Sequence, residues 1–154
     1  VLNPYEIGAD LVANATAAYQ KYGNNTMVID FGTALTFTTI GKDSEILGVA
    51  IAPGLRTAVG ALAGKTAQLP QIHIAPPPSV LGENTIHAIQ SGIIFGYTGL
   101  VDSMIERTEK ELGESLNVVA TGGLSAVIAP LTKNIKACEP MLTLEGLVQI
   151  NSFI

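Results

Sequence analysis

Charge is scarce in this chain: Asp, Glu, Lys and Arg make up 14% of its 154 residues, against 47% apolar ones. That balance excludes a disordered chain and fits one domain long enough to bury a core. It also leaves a surface poor in charge, which favours coverage by a partner. Basic residues are the scarcer sign. Eight Lys and Arg against 13 Asp and Glu give a net charge of −5, which argues against a nucleic-acid binder needing a basic face. The one cysteine, Cys138, cannot close an internal disulfide, so a reducing cytoplasm is expected. No run of 18 residues is both uncharged and continuously apolar, and no basic-then-apolar leader opens the chain. Neither a membrane span nor a secretion signal is therefore expected. Repeats and low-complexity tracts are also missing.

What is present centres on Val28-Ile29-Asp30-Phe31-Gly32-Thr33-Ala34-Leu35-Thr36-Phe37-Thr38. An apolar strand ends on a carboxylate, turns at Gly32, and resumes as a Thr-rich alternating strand. Thr36 and Thr38 fall on one face of the second strand, Leu35 and Phe37 on the other. The tip of this hairpin gathers a carboxylate, N–H groups and hydroxyls, which can hold phosphate oxygens or a cation. An ordinary hairpin with an aspartate in its turn satisfies the same pattern.

Asn3-Pro4-Tyr5-Glu6 predicts a helix start, with Asn3 as cap and the helix running to about Tyr22, stopped by Gly23. Glu6, Asp10 and Asn14, spaced by four, line one face. That stripe is either solvated or a substrate-facing edge on which Asp10 acts as acid or base. After the hairpin, Glu45 to Ala52 predicts a third strand, and Pro53-Gly54-Leu55 opens a helix ending near Gly64. Gly60 to Thr66 has the look of a phosphate loop but fails on glycine spacing and follows a helix, not a strand. Thr66 to Pro78 is a proline-stiffened extended segment containing His73.

Asn84 to Leu112 is the longest helical stretch, with Ile86, Ile89, Ile93, Tyr97, Leu100, Met104 and Thr108 tracking its period. Gly92, Gly96 and Gly99 permit close backbone contact along it. Asn117 to Thr121 predicts a strand, and Gly122-Gly123 a turn into a helix where a ring or phosphate could approach the backbone. A plain strand-to-helix turn fits equally well. Ile135 to Cys138 predicts a last short strand, and Leu142 a final helix capped by Thr143.

Together these pieces resemble the type III pantothenate kinases of the actin-like, sugar-kinase superfamily. The resemblance rests on Asn3-Pro4-x-Glu6-x-Gly8-Ala9-Asp10, Asp30-Phe31-Gly32-Thr33-Ala34, Ile51-Ala52-Pro53-Gly54-Leu55, Thr66-Ala67-Gln68-Leu69-Pro70, Gln90-Ser91-Gly92, Thr121-Gly122-Gly123 and Leu142 to Leu147. It implies an α/β, ribonuclease-H-like lobe with a mixed sheet flanked by helices. Residues 1–154 would form the single C-terminal lobe of a two-lobed kinase, its N-terminal lobe absent from this chain. The start at Val1-Leu2-Asn3 fits that expectation.

The resemblance further implies ATP-dependent phosphorylation of pantothenate, the first step of coenzyme A biosynthesis. Asp10 would be the catalytic base, with Gly8, Ala9 and Leu11 beside the pantothenate and Thr66 reaching it across a homodimer. Thr33 would contact phosphate, Thr121, Gly122 and Gly123 the adenosine, and Asp30 a monovalent cation, potassium or ammonium. Magnesium is implied by the ATP chemistry. The expected partners are pantothenate, ATP, a second copy and, where it is a separate chain, the N-terminal lobe, with no nucleic acid and no membrane. Two positions depart from the family: Leu11 stands where it has Arg, and Val1 where it has a substrate-binding Tyr. The alternative is a non-catalytic relative acting as a binding or regulatory module, like the Bvg accessory factors. Another sugar or acyl kinase of the superfamily fits less well. Asp30-Phe31-Gly32 also spells a protein-kinase motif, but no His-Arg-Asp loop or Gly-rich loop accompanies it.

Overall fold

A computed structural model describes residues 3–23, 25–63 and 72–153, with only the backbone of Pro4 and Ala63. Alternation in the Thr-rich hairpin fixes the sheet. Strands β1 (Thr26–Phe31), β2 (Ala34–Ile40) and β3 (Ile46–Pro53) form an antiparallel meander, with β1 also pairing parallel to β4 (Asn117–Thr121) and β4 to β5 (Ala137–Cys138). The spatial order is β3-β2-β1-β4-β5, a mixed five-stranded sheet. Its helices are α1 (Ala9–Tyr22), α2 (Leu55–Ala63), α3 (Thr85–Leu112), α4 (Ser125–Ile128) and α5 (Leu142–Asn151). The predicted order of elements holds throughout.

Each strand sends alternate residues to two different layers. Met27, Ile29, Phe31, Leu35, Phe37, Val118 and Ala120 pack against Leu55 of α2, Ile94, Val101 and Ile105 of α3 and Ile128 of α4. Val28, Ile40 and Val119 face the alanines of α1 and Leu142 of α5. On α3 the buried residues are Ser91, Ile93, Ile94, Val101 and Ile105, and Ile89, Tyr97, Leu100 and Met104 of the predicted line pack, partly buried, against the same core. A Cβ at Gly92, Gly96 or Gly99 would meet nothing within 4 Å.

The first helix differs from expectation. A single 3-10 turn covers Pro4–Glu6, and α1 starts only at Ala9, with Gly8 as its cap at φ −61° and ψ 144°. The extended backbone at Gly8 breaks the run that the Asn3-Pro4 signal predicted. Asn3 instead caps the short turn, with Tyr5 N–H reaching its Oδ1 at 3.3 Å.

Alanine along α1 brings α5 close. Gly146 of α5 lies so near α1 that a Cβ would sit 1.9 Å from the Ala13 carbonyl oxygen. Two helix backbones cannot approach that far over any side chain. At the opposite end of α1, Lys21 pairs with Glu139 at 2.8 Å and Tyr22 donates its hydroxyl to the same carboxylate. These contacts fasten α1 to the segment that follows β5.

Gly146→Ala is expected to cost about 3 kcal/mol or more, since backbone must move to admit the methyl; thermal denaturation of the two proteins measures it. Glu139 is held below the usual carboxylate range by its bonds from Lys21 and then Tyr22. A depressed folded pKa contributes stability above the unfolded pKa that is lost as pH falls through the folded one. Glu139→Gln should therefore lower stability at pH 7 by about 1 kcal/mol or less. The difference between the two proteins should shrink steadily in acid.

Candidate functional site

β1 ends on Asp30, half-buried on the α1 face of the sheet. The register places it between Thr36 of β2 and Thr121 of β4, three oxygen-bearing side chains in one row. Asn14 of α1 reaches down to this row. Its Nδ2 donates to Asp30 Oδ2 at 3.1 Å, and its Oδ1 accepts from the Thr143 hydroxyl of α5 at 2.6 Å. The Asn14 side chain is fully buried, so the two bonds fix its amide with nitrogen toward the carboxylate. Burial raises the Asp30 pKa above its ordinary value, the charge of Asp10 adds to the rise, and the Asn14 bond opposes both. The Thr36 hydroxyl oxygen, directly across the strand, is buried without a hydrogen-bond partner.

Two glycines press the surrounding loops inward. Gly122 follows β4 at φ +89°, and a Cβ there would lie 2.5 Å from Asp30 Oδ1 and 2.7 Å from the Phe31 backbone. Gly54 precedes α2, and a Cβ there would lie 2.3 Å from both the Gly32 and Thr33 carbonyl oxygens. Thr33 is exposed at the hairpin tip while its carbonyl accepts from Gly54 N–H at 3.0 Å and the Thr57 hydroxyl at 2.9 Å. At Gly32 the chain itself imposes less: a Cβ would make ordinary contacts at 3.5 and 3.6 Å. The steric need predicted for Gly32 belongs to Gly54.

Asp10 stands exposed in the first turn of α1, where its Oδ1 accepts the Leu11 N–H at 3.0 Å. A Cβ on Gly8 would fall 2.5 Å from that same oxygen, so glycine keeps the carboxylate accessible. Ala9 is exposed beside it, whereas Leu11 turns inward and is only 8% accessible. Asp10 and Asp30 thus share one end of the sheet, with Gly122 beside Asp30. Thr121 spends its hydroxyl on the Glu139 carbonyl at 2.7 Å. Gly123 faces open space. Thr66 and Val1 lie outside the described residues.

Sequence reasoning saw Asn14 only as part of a stripe with Glu6 and Asp10. The structure separates them: Asp10 is exposed and Asn14 buried. Spacing by four from Asp10, on a helix otherwise rich in alanine, was the available signal. Thr143 is not the cap of α5, since Met141 occupies that position and Thr143 bonds Asn14. The helix after Gly122-Gly123 is also shorter than a nucleotide-binding helix would need, at four residues before a 3-10 turn. Phosphate binding by its dipole has little support, because four residues align few peptide units.

The comparisons with known proteins agree in direction. Residues 1–107 match the family model described as type III pantothenate kinase. A type III pantothenate kinase of Roseiflexus sp. (strain RS-1) is 51% identical over 144 residues, which is 94% of this chain and 56% of that protein. One from Citrifermentans bemidjiense is 47% identical, across 94% of this chain and 57% of that protein. The chain therefore spans about half the length of the curated relatives it matches. Among solved structures, a Campylobacter jejuni protein assigned to the Baf family of transcriptional activators superposes with TM-score 0.66 at 21% identity, over 98% of this chain and 67% of its own. The activator of 2-hydroxyisocaproyl-CoA dehydratase from Clostridium difficile, solved with ADPNP, gives 0.52 at 15% identity, over 89% and 62%. These likenesses show a shared fold, in line with the expected α/β lobe of mixed sheet and flanking helices.

Removing the buried amide should disturb both partners at once. Asn14→Ala is expected to cost about 2–3 kcal/mol, leaving a half-buried carboxylate oxygen and a hydroxyl without their bonds. It should also move the Asp30 titration further up, because Asn14 is the one contact that lowers it. Carboxyl-carbon NMR across a pH series checks the direction.

Proposed function

The chain belongs to the type III pantothenate kinase family, and from that membership we propose that it is the C-terminal lobe of a two-lobed kinase that phosphorylates pantothenate with ATP. The observation carrying the reading is the pair Asp10 and Asp30 at one end of the sheet, held in place through Asn14 and Gly122. An exposed carboxylate beside a half-buried one separates two tasks. Asp10, open to solvent, is placed to accept the proton of the pantothenate primary hydroxyl as that oxygen attacks the γ-phosphorus of ATP and ADP leaves. Asp30, fixed by Asn14, suits a monovalent cation. Its oxygen donors are the hard type that potassium or ammonium accepts, and the buried, unpartnered Thr36 hydroxyl beside it fits the same chemistry.

In this reading Gly8 and Ala9 border the pantothenate while Leu11, expected beside it, is turned into the core, Thr33 meets phosphate at the hairpin tip, and Thr121, Gly122 and Gly123 border the adenosine. Thr66 would reach the pantothenate of a second subunit. Magnesium would arrive with the ATP phosphates, held by one or two carboxylates and water rather than by a protein cage. Among the described residues no group of three or more His, Cys, Asp or Glu could form such a cage. Catalysis of this kind rests on positioning and charge neutralisation, so a lobe alone would turn over little. A homodimer is supported by the open space at Gly92, Gly96 and Gly99 along α3 and by the exposed Val80 and Leu81 nearby. Among the described residues, no helix is long and apolar enough to cross a membrane.

One observation favours the regulatory alternative. Leu11 occupies the position of the family's Arg and is buried rather than turned to the cleft. A bidentate Arg contact to phosphate or carboxylate is worth about 1.5–3 kcal/mol, which leucine cannot supply.

A coupled ADP-release assay with ATP, magnesium, potassium and pantothenate tests the kinase reading. It would be run on this chain and on a chimera carrying the N-terminal lobe of the Roseiflexus relative. Pantothenate-dependent ADP release by the chimera, lost about 100-fold or more in Asp10→Asn, is the expected result. If the chimera is silent until Leu11→Arg is introduced, the site has decayed from catalysis. Silence even then would favour the binding-module alternative.

A further inference from the structure

We propose that the Thr36 hydroxyl is a second side-chain ligand for the cation held at Asp30. The inference rests on the reading of Asp30 as a cation site and extends it to a residue that the family resemblance leaves without a role.

Three observations converge on Thr36. Its Oγ1 is one of two buried side-chain polar atoms in the described residues with no hydrogen-bond partner. Buried hydroxyls are nearly always satisfied, so an orphan of this kind calls for a missing partner. Second, the β1–β2 register sets Thr36 directly opposite Asp30 on the same face of the sheet. Cross-strand neighbours stand about 4.5–5.5 Å apart at Cβ. Side-chain oxygens on such neighbours can reach a common ion, and the structure makes no direct bond between these two.

Third, the charge environment is one-sided. Asp30 Oδ2 is taken by the Asn14 amide, a neutral donor. The charge acting on Asp30 is a second carboxylate, Asp10. Lys21 is paired with Glu139 and Glu145, and Lys42 with Glu114. A half-buried carboxylate facing another carboxylate gains from a cation, and a hydroxyl can donate an oxygen lone pair to potassium or accept a hydrogen bond from ammonium.

The chemistry separates Thr36 from a residue that merely packs. Thr36→Val keeps shape and β-branching and removes only the hydroxyl. Replacing an unpartnered buried hydroxyl with a methyl is neutral or stabilising where no ligand is present. The same change must weaken cation binding. Thr36→Ser keeps the hydroxyl and must retain it. Opposite signs for stability and affinity in one variant are not what a structural role would give.

The test is thermal denaturation of the 154-residue chain in potassium chloride at constant ionic strength, balanced with tetramethylammonium chloride. Four proteins are compared: the parent, Asp30→Asn, Thr36→Val and Thr36→Ser. Potassium is expected to raise the Tm of the parent and of Thr36→Ser, since an ion that binds only the folded chain stabilises it. Asp30→Asn should lose the rise. Thr36→Val should need roughly tenfold more potassium for the same rise, while its Tm without potassium equals or exceeds that of the parent. If Thr36→Val keeps the full rise while Asp30→Asn loses it, Asp30 stands as a cation site and Thr36 is no ligand. If the parent shows no rise at all, both the proposal and the cation reading of Asp30 fall together.

Discussion

One buried amide holds together the end of the sheet where Asp10 and Asp30 meet. Asn14 projects from α1 into the sheet, takes up one oxygen of Asp30 and receives the hydroxyl of Thr143 from α5. The consecutive elements α1 and β1 and the distant α5 meet on a side chain with no exposure to water. A buried polar group that leaves either bond unmade costs about 1–3 kcal/mol, so α1, β1 and α5 have one arrangement that satisfies it. Asp10, one turn earlier on α1, inherits its position from that fit. The relation of the two carboxylates follows from it.

The helix pair makes the amide's reach possible. Alanines at 13, 15, 17 and 18 and the glycine at 146 let α1 and α5 lie close together and against the sheet. With larger residues on α1, Asn14 would stand off from Asp30 and its amide would meet water instead. Small side chains here are therefore part of how the site is built, although none of them touches it. Glu139 does a similar service at the far end of α1. Its carboxylate takes Lys21 and Tyr22, while its backbone accepts from Thr121 and donates to Ala120.

Much of this was legible in the sequence. Strand alternation in Val28 to Thr38 gave the hairpin and the faces of its residues, and the order of elements followed from turn glycines and apolar runs. Ordered motifs gave the family and hence Asp10 and Asp30. What stayed hidden depends on contacts between distant segments. Spacing from Asp10 on an alanine-rich helix hints at Asn14 but cannot tell it from a solvated polar residue, because its partner on α5 lies 129 residues away along the chain. Thr143 looked like a cap for the same reason. Gly54 was read as the opening of a helix, whereas its lack of a side chain matters for two carbonyls of the hairpin tip. At Gly8 a cap signal upstream outweighed, on paper, the extended backbone that starts α1 later.

That last pair of carbonyls bears on motion. With Gly54 pressed against the Gly32 and Thr33 oxygens, and with its N–H and the Thr57 hydroxyl both bonded to Thr33, the hairpin tip and the start of α2 form one stiff unit. Such a tip cannot flap by itself as a lid does. Any movement at this end must carry the hairpin and the start of α2 together, about a hinge outside both.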